Sequence, residues 1–311
     1  MQRQHVFAGP YLDRTTHLRD DPACIEAAIA DARSRAVPVW NTRSLVTAGD
    51  PPRAALLDLA CLPPAQRNAD QLILLGEFAG VPCFACALDA EQAPQLVADA
   101  TFEDLRTLAP ALSAEDAGLL GYARAMVSWR ERHRYCGQCG APTRSAKGGH
   151  VALCTNAACG AEQFPRIDPA IIVLISDGDR VLLGRQASWP AGRYSTIAGF
   201  VEIGESLEDA VVREVLEETG VPVDRIEYHS SQPWPFPASL MLGFTAHALA
   251  TDVQRKDQEL EDARWFSRDE IITRRVLLPP GQSISFRLIE HWFDAGSRVS
   301  LREVVGAHAR R

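Results

Sequence analysis

The chain has 311 residues, of which 46% are hydrophobic, and this length and composition predict about two globular domains with substantial cores. Its 32 basic and 40 acidic residues give a net charge of -8, which argues against a protein whose main task is to hold duplex nucleic acid on a broad basic surface. The sequence has no uncharged apolar run of about 18 residues and no charged-then-apolar leader, so we expect a cytoplasmic protein that does not enter a membrane.

Short apolar runs among prolines characterise the first 112 residues and predict strands, for example over 54–59 and 72–75. The segment 72–88 predicts a hairpin, with a turn region that contains Gly76 and Gly80. These elements indicate a small sheet in the N-terminal part of the chain.

A helix is predicted after Ser113, with Asp116 in a capping-box position, and it should run to about Arg132. Together with the preceding strands it defines a predicted N-terminal α+β domain over 1–131. Beyond a structural or dimerisation role, the sequence does not indicate what this domain does.

Four cysteines form two close pairs, Cys136 with Cys139 and, after a further fourteen residues, Cys154 with Cys159. Such pairs deliver four sulfur ligands to a tetrahedral zinc ion, although the second pair is spaced by four residues rather than two. Because four protein ligands leave no coordination position for water, the predicted zinc serves folding, and we assign 132–165 to a zinc ribbon. The alternative is that these cysteines are unligated or joined in disulfides.

A third pair, Cys83 and Cys86, also has a two-residue spacing. It lies in an apolar, strand-like run without further cysteines beside it. We therefore interpret these two residues as ordinary buried cysteines.

The C-terminal half changes to strong strand signals and is predicted to mix helices and strands. Residues 170–175 and 180–185 flank a turn of Asp and Gly residues and predict a hairpin. The remaining predicted elements are a strand over 194–200, a helix between Ser206 and Gly220, strands over 240–248 and 263–266, and a closing amphipathic helix over 283–295.

The helix between Ser206 and Gly220 carries three acidic residues on one face. Glu214, Glu217 and Glu218 fall within an arc of roughly 100° on a regular helix. Like charges at these spacings repel one another, and a divalent cation would convert that cost into binding. Carboxylate oxygens that converge on one point suit Mg²⁺ or Mn²⁺.

A solvated acidic helix face is the usual explanation of such a charge run. That explanation predicts Lys or Arg partners one turn away, whereas Arg213 is the one basic residue of this helix. A second face, formed by Val211, Val212, Val215 and Leu216, is predicted to pack on the sheet.

The segment 199–221 matches all nine defined positions of the pattern Gly-x5-Glu-x7-Arg-Glu-U-x-Glu-Glu-x-Gly-U, where U is aliphatic, and it resembles the Nudix hydrolases. The resemblance implies an α+β fold, with a Nudix α/β/α sandwich over 166–311 that follows the ribbon and the smaller N-terminal domain. It implies that Glu214, Glu217 and Glu218 hold the catalytic metals. Structural roles are implied for Gly199, Glu205, Arg213 and Gly220.

Three prolines alternate with aromatic residues in the segment 231–239, which reads SQPWPFPAS. Prolines stiffen the backbone before any ligand binds, so the segment could either line a site or pack its rings in a core. As a pattern it is similar to the signature of the NADH pyrophosphatase family within the Nudix hydrolases, and the ribbon lies where that family has one.

This narrower resemblance implies hydrolysis of the pyrophosphate of NADH or NAD⁺ to AMP and NMNH or NMN, by a homodimer. Glu259 is implied as a further metal ligand outside the box, and either Glu218 or Glu259 as the general base. Phe164 and Phe200 are implied to sandwich adenine, one of them from across the dimer interface. The implied substrate-binding residues are Phe164, Phe200, Gln232, Trp234, Phe236 and Ser239.

Several alternatives stay open at this point. The same chemistry could remove NAD caps from RNA 5′ ends, or the substrate could be another one, such as ADP-ribose. A nucleic-acid-binding module is the alternative of a different class, because basic residues cluster near the ribbon. They are Arg130, Arg132, Arg134, Arg144 and Lys147.

Overall fold

The computed structural model describes residues 5–89, 99–255 and 259–306. The chain divides into two compact units. The first comprises Met1–Ile167 and Trp234–Ala238, and the second comprises Asp168–Pro233 and Ser239–Arg311. The predicted boundaries at 131/132 and 165/166 stay predictions. No helix within the described ranges is both long enough and apolar enough to cross a membrane.

Among its described residues, the first unit contains a mixed sheet and three α-helices. Its sheet strands are β1 (Leu12–Asp13), β2 (Arg35–Trp40), β3 (Arg43–Thr47), β4 (Arg53–Ala54), β5 (Leu57–Asp58), β6 (Ile73–Phe78), β7 (Val81–Ala87) and β8 (Ala100–Glu103). The helices are α1 (Pro22–Ala30), α2 (Leu105–Leu108) and α3 (Ala114–Arg132). The strand order is β1-β6-β7-β2-β3-β4, with β5 beside β2 and β8 beside β3.

The predicted hairpin is confirmed, because β6 and β7 pair in antiparallel fashion. Gly80 lies in its turn, but Gly76 does not: it lies within β6 at a bulge, with a φ of +128°. A Cβ at Gly76 would lie 2.0 Å from the carbonyl oxygen of Asp13, so close backbone approach explains this glycine. The predicted strand over 54–59 is wrong in its extent, because the structure has two separate two-residue strands there, β4 and β5.

Helix α3 is confirmed with its predicted start, where the Ser113 side chain accepts a hydrogen bond from the Asp116 amide at 3.0 Å. Cys83 and Cys86 are confirmed as buried residues: Cys83 packs in one core with residues of α3, and Cys86 packs in another with Ile25 of α1. Burial raises the pKa of Cys83 to about 11 and that of Cys86 to about 12. Both thiols therefore stay protonated and unreactive at neutral pH.

The ribbon is a three-stranded antiparallel sheet of β9 (Thr143–Ala146), β10 (Val151–Cys154) and β11 (Glu162–Gln163), and it belongs to the first unit. His150, at its tip, attaches it to β6. The Nε2 atom lies 2.8 Å from the Leu74 carbonyl oxygen, and Nδ1 lies 3.2 Å from the Arg19 guanidinium. Burial lowers the pKa of His150 to about 4. The ring is therefore neutral, so that Nε2–H donates to Leu74 and Nδ1 accepts from Arg19.

The described part of the second unit contains a six-stranded sheet and four α-helices. The strands are β12 (Asp168–Ser176), β13 (Arg180–Arg185), β14 (Ile197–Phe200), β15 (Val223–Trp234), β16 (Ser239–Ala248) and β17 (Asp262–Ser267). The helices are α4 (Leu207–Thr219), α5 (Arg268–Ile272), α6 (Ile284–Ala295) and α7 (Leu301–Gly306). The strand order is β15-β16-β12-β13-β17, with β14 beside β12.

Alternate residues of the central strand β12 face two different helices. Val173 packs in one core with Val215 of α4, whereas Leu174 packs in another with Leu288 of α6. A sheet with helices on both faces is the predicted α/β/α sandwich.

Two details of this unit differ from the prediction. Val211 and Val215 are buried, but Val212 and Leu216 are 40% and 38% exposed, because the sheet covers a narrower stripe of α4 than expected. The sequence also did not reveal β15, whose last residues belong to the proline-rich segment. Pro233 is tolerated there because β15 is an edge strand.

Candidate active site

Helix α4 is fixed at both ends by its own sequence. The Ser206 side chain and the Asp209 carboxylate form a reciprocal capping box, and Gly220 ends the helix with a left-handed φ of +73°. These caps place the acidic residues in its last two turns.

The three acidic side chains of α4 have different surroundings. The side chain of Glu214 is 12% exposed and that of Glu217 is 53% exposed, whereas Glu218 as a residue is 4% exposed. A uniformly solvated acidic face is therefore not what the structure shows. Burial of carboxylates is costly unless charges or hydrogen bonds compensate it.

Gly199, in β14, leaves the space that Glu214 occupies. A Cβ at this position would lie 1.9 to 2.3 Å from three atoms of the Glu214 carboxyl group. Any larger residue would displace this carboxylate or the strand.

Arg213 connects the loop before α4 with the acidic face. Its guanidinium bonds to both carboxylate oxygens of Glu205, at 2.5 and 3.0 Å, and donates to the Phe200 carbonyl oxygen at 2.9 Å. It also lies 2.9 Å from Glu214 and 3.1 Å from Glu217. The hydrogen bonds from Arg213 lower the pKa of Glu205 to about 2, so Glu205 stays charged. This geometry agrees with the expected orienting role of the pair.

Glu259 acts on the same site from outside the helix. Burial raises the pKa of Glu214, the contact with Arg213 lowers it, and the negative charges of Glu217 and Glu259 raise it. Glu217 and Glu259 thus lie close enough to repel Glu214. Carboxylate oxygens are the donors that a hard divalent cation prefers.

Among the described residues, the group of possible metal ligands that lie close together is formed by the four cysteines of the ribbon. Their sulfurs are all within 4.8 Å of one another. In α4, by contrast, Arg213 contacts both Glu214 and Glu217. Without a cation, the attraction of this guanidinium offsets the mutual repulsion of the two carboxylates.

The sulfur positions fit a tetrahedral zinc site. Cys136 and Cys159 lie 3.8 Å apart and Cys139 and Cys154 lie 3.5 Å apart, close to the ~3.8 Å expected for Zn–S bonds of ~2.3 Å. None of the cysteines is in a disulfide. Amides of Gln138 and the following residue lower the pKa of Cys136 to about 7, which favours the thiolate.

Gln232, predicted to bind substrate, is instead fully buried and serves α6. Its side-chain oxygen accepts from the Ile284 amide at 2.8 Å, and its nitrogen donates to the Gln282 carbonyl oxygen at 3.2 Å. Both ends of this amide are thus used by the backbone at the start of α6. In the structure its side chain has no exposed surface, and the predicted substrate-binding role of Gln232 stays a prediction.

The rings of Trp234 and Phe236 lie in the first unit and pack against Phe7, at centroid distances of 6.3 and 5.7 Å. The guanidinium groups of Arg106 and Arg124 each lie 4.7 Å from the Phe236 ring centroid, and Arg124 also donates to the Pro235 carbonyl oxygen. Of the two interpretations of this segment, the structure favours packing for both rings. No sequence pattern pointed to these two arginines.

The other predicted substrate residues are accessible. Phe164 and Phe200 are each 59% exposed, in the first and second unit respectively. Ser239 is the first residue of β16 and is partly buried opposite Asp168. Two exposed phenyl rings are free to stack on a flat base.

The sequence matches three family models in chain order. They describe an NADH pyrophosphatase-like rudimentary NUDIX domain over residues 33–129, an NADH pyrophosphatase zinc ribbon domain over 131–164, and a NUDIX domain over 166–291.

Curated relatives extend over most of the chain. The NAD-capped RNA hydrolase NudC of Stutzerimonas stutzeri is 43% identical over 216 residues, which are 70% of this chain and 75% of that protein. The NAD-capped RNA hydrolase NudC of Mycobacterium bovis is 38% identical over 301 residues, 90% of this chain and 92% of that protein. The NAD-capped RNA hydrolase NUDT12 of Macaca fascicularis is 40% identical over 196 residues, 58% of this chain, and the match spans only 42% of that longer relative. From these matches, the chain belongs to the zinc-ribbon-containing NADH pyrophosphatase family of Nudix hydrolases.

Proposed function

We propose that the chain hydrolyses the pyrophosphate bond of NADH or NAD⁺ and releases AMP with NMNH or NMN, using Mg²⁺ or Mn²⁺ held by Glu214, Glu217, Glu218 and Glu259. The observation that carries this proposal is the crowding of negative charge on Glu214, in space that Gly199 leaves open. Two relatives of this chain are named NAD-capped RNA hydrolases, which supports the same dinucleotide chemistry.

When bound, the cation neutralises charge on the pyrophosphate oxygens and makes water more acidic. A carboxylate of this chain, Glu218 or Glu259, takes the proton of the attacking water. The water oxygen bonds to one phosphorus while the bridging P–O bond breaks. Two mononucleotides are released, and together they have gained the atoms of one water molecule. Arg213 and Glu205 hold the loop and helix that frame this step.

The decisive experiment incubates the purified full chain with NADH, NAD⁺ and ADP-ribose, with Mg²⁺ or Mn²⁺, and separates the products by chromatography. We expect AMP with NMNH or NMN, no product in the presence of excess chelator, and recovery when Mg²⁺ is restored. If ADP-ribose were cleaved in preference to NADH and NAD⁺, the chain would have a different substrate specificity from the one proposed. No cleavage of any dinucleotide would refute the proposal.

Removal of NAD caps from RNA is the second candidate, favoured by the exposed Arg132, Arg134 and Arg144 in and beside the ribbon. If these residues guide a strand, activity on NAD-capped RNA should fall steeply between 50 and 200 mM salt, on the order of tenfold or more, while activity on NADH stays level. Binding of RNA without any hydrolysis would instead indicate a binding module. Adding NAD-capped RNA to the substrates named above tests both possibilities.

The family resemblance also leads us to propose a homodimer in the cytoplasm. The exposed rings of Phe164 and Phe200 are compatible with a base bound between two copies of the chain. Light scattering during the same experiments gives the molar mass, and a single-chain mass would contradict the dimer.

Replacing Gly199 with alanine should lower kcat for NADH by about tenfold to a hundredfold, because the added methyl group overlaps the Glu214 carboxylate and misplaces it. Steady-state kinetics and thermal unfolding measure the effect. Gly306→Ala is the matched control, since a Cβ there meets nothing within 4 Å. A Gly199→Ala enzyme with unchanged kcat would show that the position of Glu214 is unimportant.

A further inference from the structure

Glu259 differs from the other acidic residues of the site because no helix fixes it. It is exposed and lies three residues before the first residue of β17. The residue that follows it, Leu260, nevertheless packs in one core with Val211 and Val215 of α4. Other residues of the second unit must therefore fix the backbone beside Glu259.

The residue after Glu259 is anchored in the core. Leu260 is 6% exposed and packs in the cluster that lies between α4 and the sheet. A Cβ at Gly184 would lie only 2.7 Å from a methyl carbon of Leu260, so this leucine fills the space that the glycine leaves. The Leu260 side chain is thus packed in the core. Packing of this side chain alone would still leave the adjacent peptide groups free to rotate.

Two arginines, Arg185 and Arg255, bind Leu260 and Glu261. Arg255 donates from Nη1 to the Leu260 carbonyl oxygen at 2.9 Å and also to the Glu261 carbonyl oxygen. Arg185 accepts at its own carbonyl oxygen from the Glu261 amide at 2.9 Å, while its Nη1 pairs with the Glu261 carboxylate. The two residues that follow Glu259 are therefore held from both sides.

Arg185, and the residue next to Arg255, in turn contact other parts of the second unit. The Arg185 side chain is only 14% exposed, and its Nη2 donates to the Trp189 carbonyl oxygen at 3.1 Å. Next to Arg255, the Gln254 amide donates to the Thr219 carbonyl oxygen at 2.8 Å, at the end of α4. Glu261 is thereby attached to β13, and Gln254 is attached to the end of the helix of the box glutamates.

We propose that Arg185 and Arg255 are positioning residues that hold Glu259 against the acidic face of α4, without contacting substrate. This inference rests on the proposed function, because it assigns Glu259 to the cation site. Residues that orient metal ligands contribute roughly tenfold to a hundredfold to metal affinity. A comparable part of the affinity for the cation should depend on the two guanidinium groups.

The test titrates Mn²⁺ into the full chain and follows free Mn²⁺ by electron paramagnetic resonance, which needs no turnover. Arg185→Gln and Arg255→Gln should each weaken Mn²⁺ binding about tenfold, in the direction of Glu259→Gln. Adding Arg185→Gln to Glu259→Gln should weaken binding little further, because the arginine acts through that glutamate. Arg264→Gln is the control, since Arg264 is largely exposed and pairs with Asp262 of the same strand β17.

The outcomes separate this inference from the proposed function. A wild-type chain that binds no Mn²⁺ and cleaves no dinucleotide refutes the proposed function itself. Weakened binding by Glu259→Gln, with wild-type affinity in both arginine variants, overturns the positioning role alone. Unchanged affinity in Glu259→Gln also overturns it, because Glu259 would then not be a ligand. Should Arg185→Gln fail to fold, Arg255→Gln decides the matter, since Arg255 is exposed.

Discussion

Glu218→Gln should lower kcat for NADH by at least about a hundredfold while the protein stays folded. Glu218 is 4% exposed, and glutamine has the same shape, so the substitution removes a charge without opening a cavity. General-base catalysis typically contributes about 10² to 10⁴ in rate, and the charge is also expected to bind the cation. Steady-state kinetics with saturating Mg²⁺ measures the loss, and thermal unfolding checks the fold.

Glu208→Gln is the matched control, because Glu208 is exposed in the first turn of the same helix. Its kcat should equal that of the wild type. A folded Glu218→Gln enzyme with near-normal turnover would contradict the assignment of Glu218. If Glu259→Gln lost more activity than Glu218→Gln at saturating metal, Glu259 would be the better candidate for the base.

Cys154→Ser should remove zinc from the ribbon and destabilise the first unit. Structural zinc contributes roughly 10–16 kcal/mol of binding free energy in zinc-finger peptides, and one lost thiolate forfeits a large part of it. A loss of even a few kcal/mol lowers Tm by about 10 °C in a domain of this size. Metal analysis by mass spectrometry and calorimetry measure the two effects.

Cys61→Ser provides the comparison, since Cys61 is an exposed cysteine outside the cluster. It should retain one zinc per chain and the wild-type Tm. A Cys154→Ser protein that kept its zinc and its Tm would show that the four sulfurs do not form the site.

The sequence predicted best those elements whose ends are set by their own residues. Helix α4 begins at Ser206 and ends at Gly220 because a capping box and a left-handed glycine act locally. The ribbon cysteines were also recognisable, because the short spacing within each of the two pairs is typical of zinc ligands. Neither required knowledge of what packs against the segment.

Partners distant in sequence could not be predicted in this way. Gln232 caps α6 some fifty residues further along the chain, and nothing near Gln232 indicates that partner. Arg106 and Arg124 surround Phe236 from more than a hundred residues away. The exposure of Val212 on α4 likewise depends on how much of the helix the sheet covers.

The position of Pro233 in the outermost strand β15 has a consequence for the behaviour of the folded protein in concentrated solution. Unpaired strand edges can recruit strands of other molecules and start aggregation, and proline is one of the residues that interrupts them. Pro233 has no N–H to offer on either side of its strand. The proline that stiffens the segment therefore also makes this edge a poor template for intermolecular pairing.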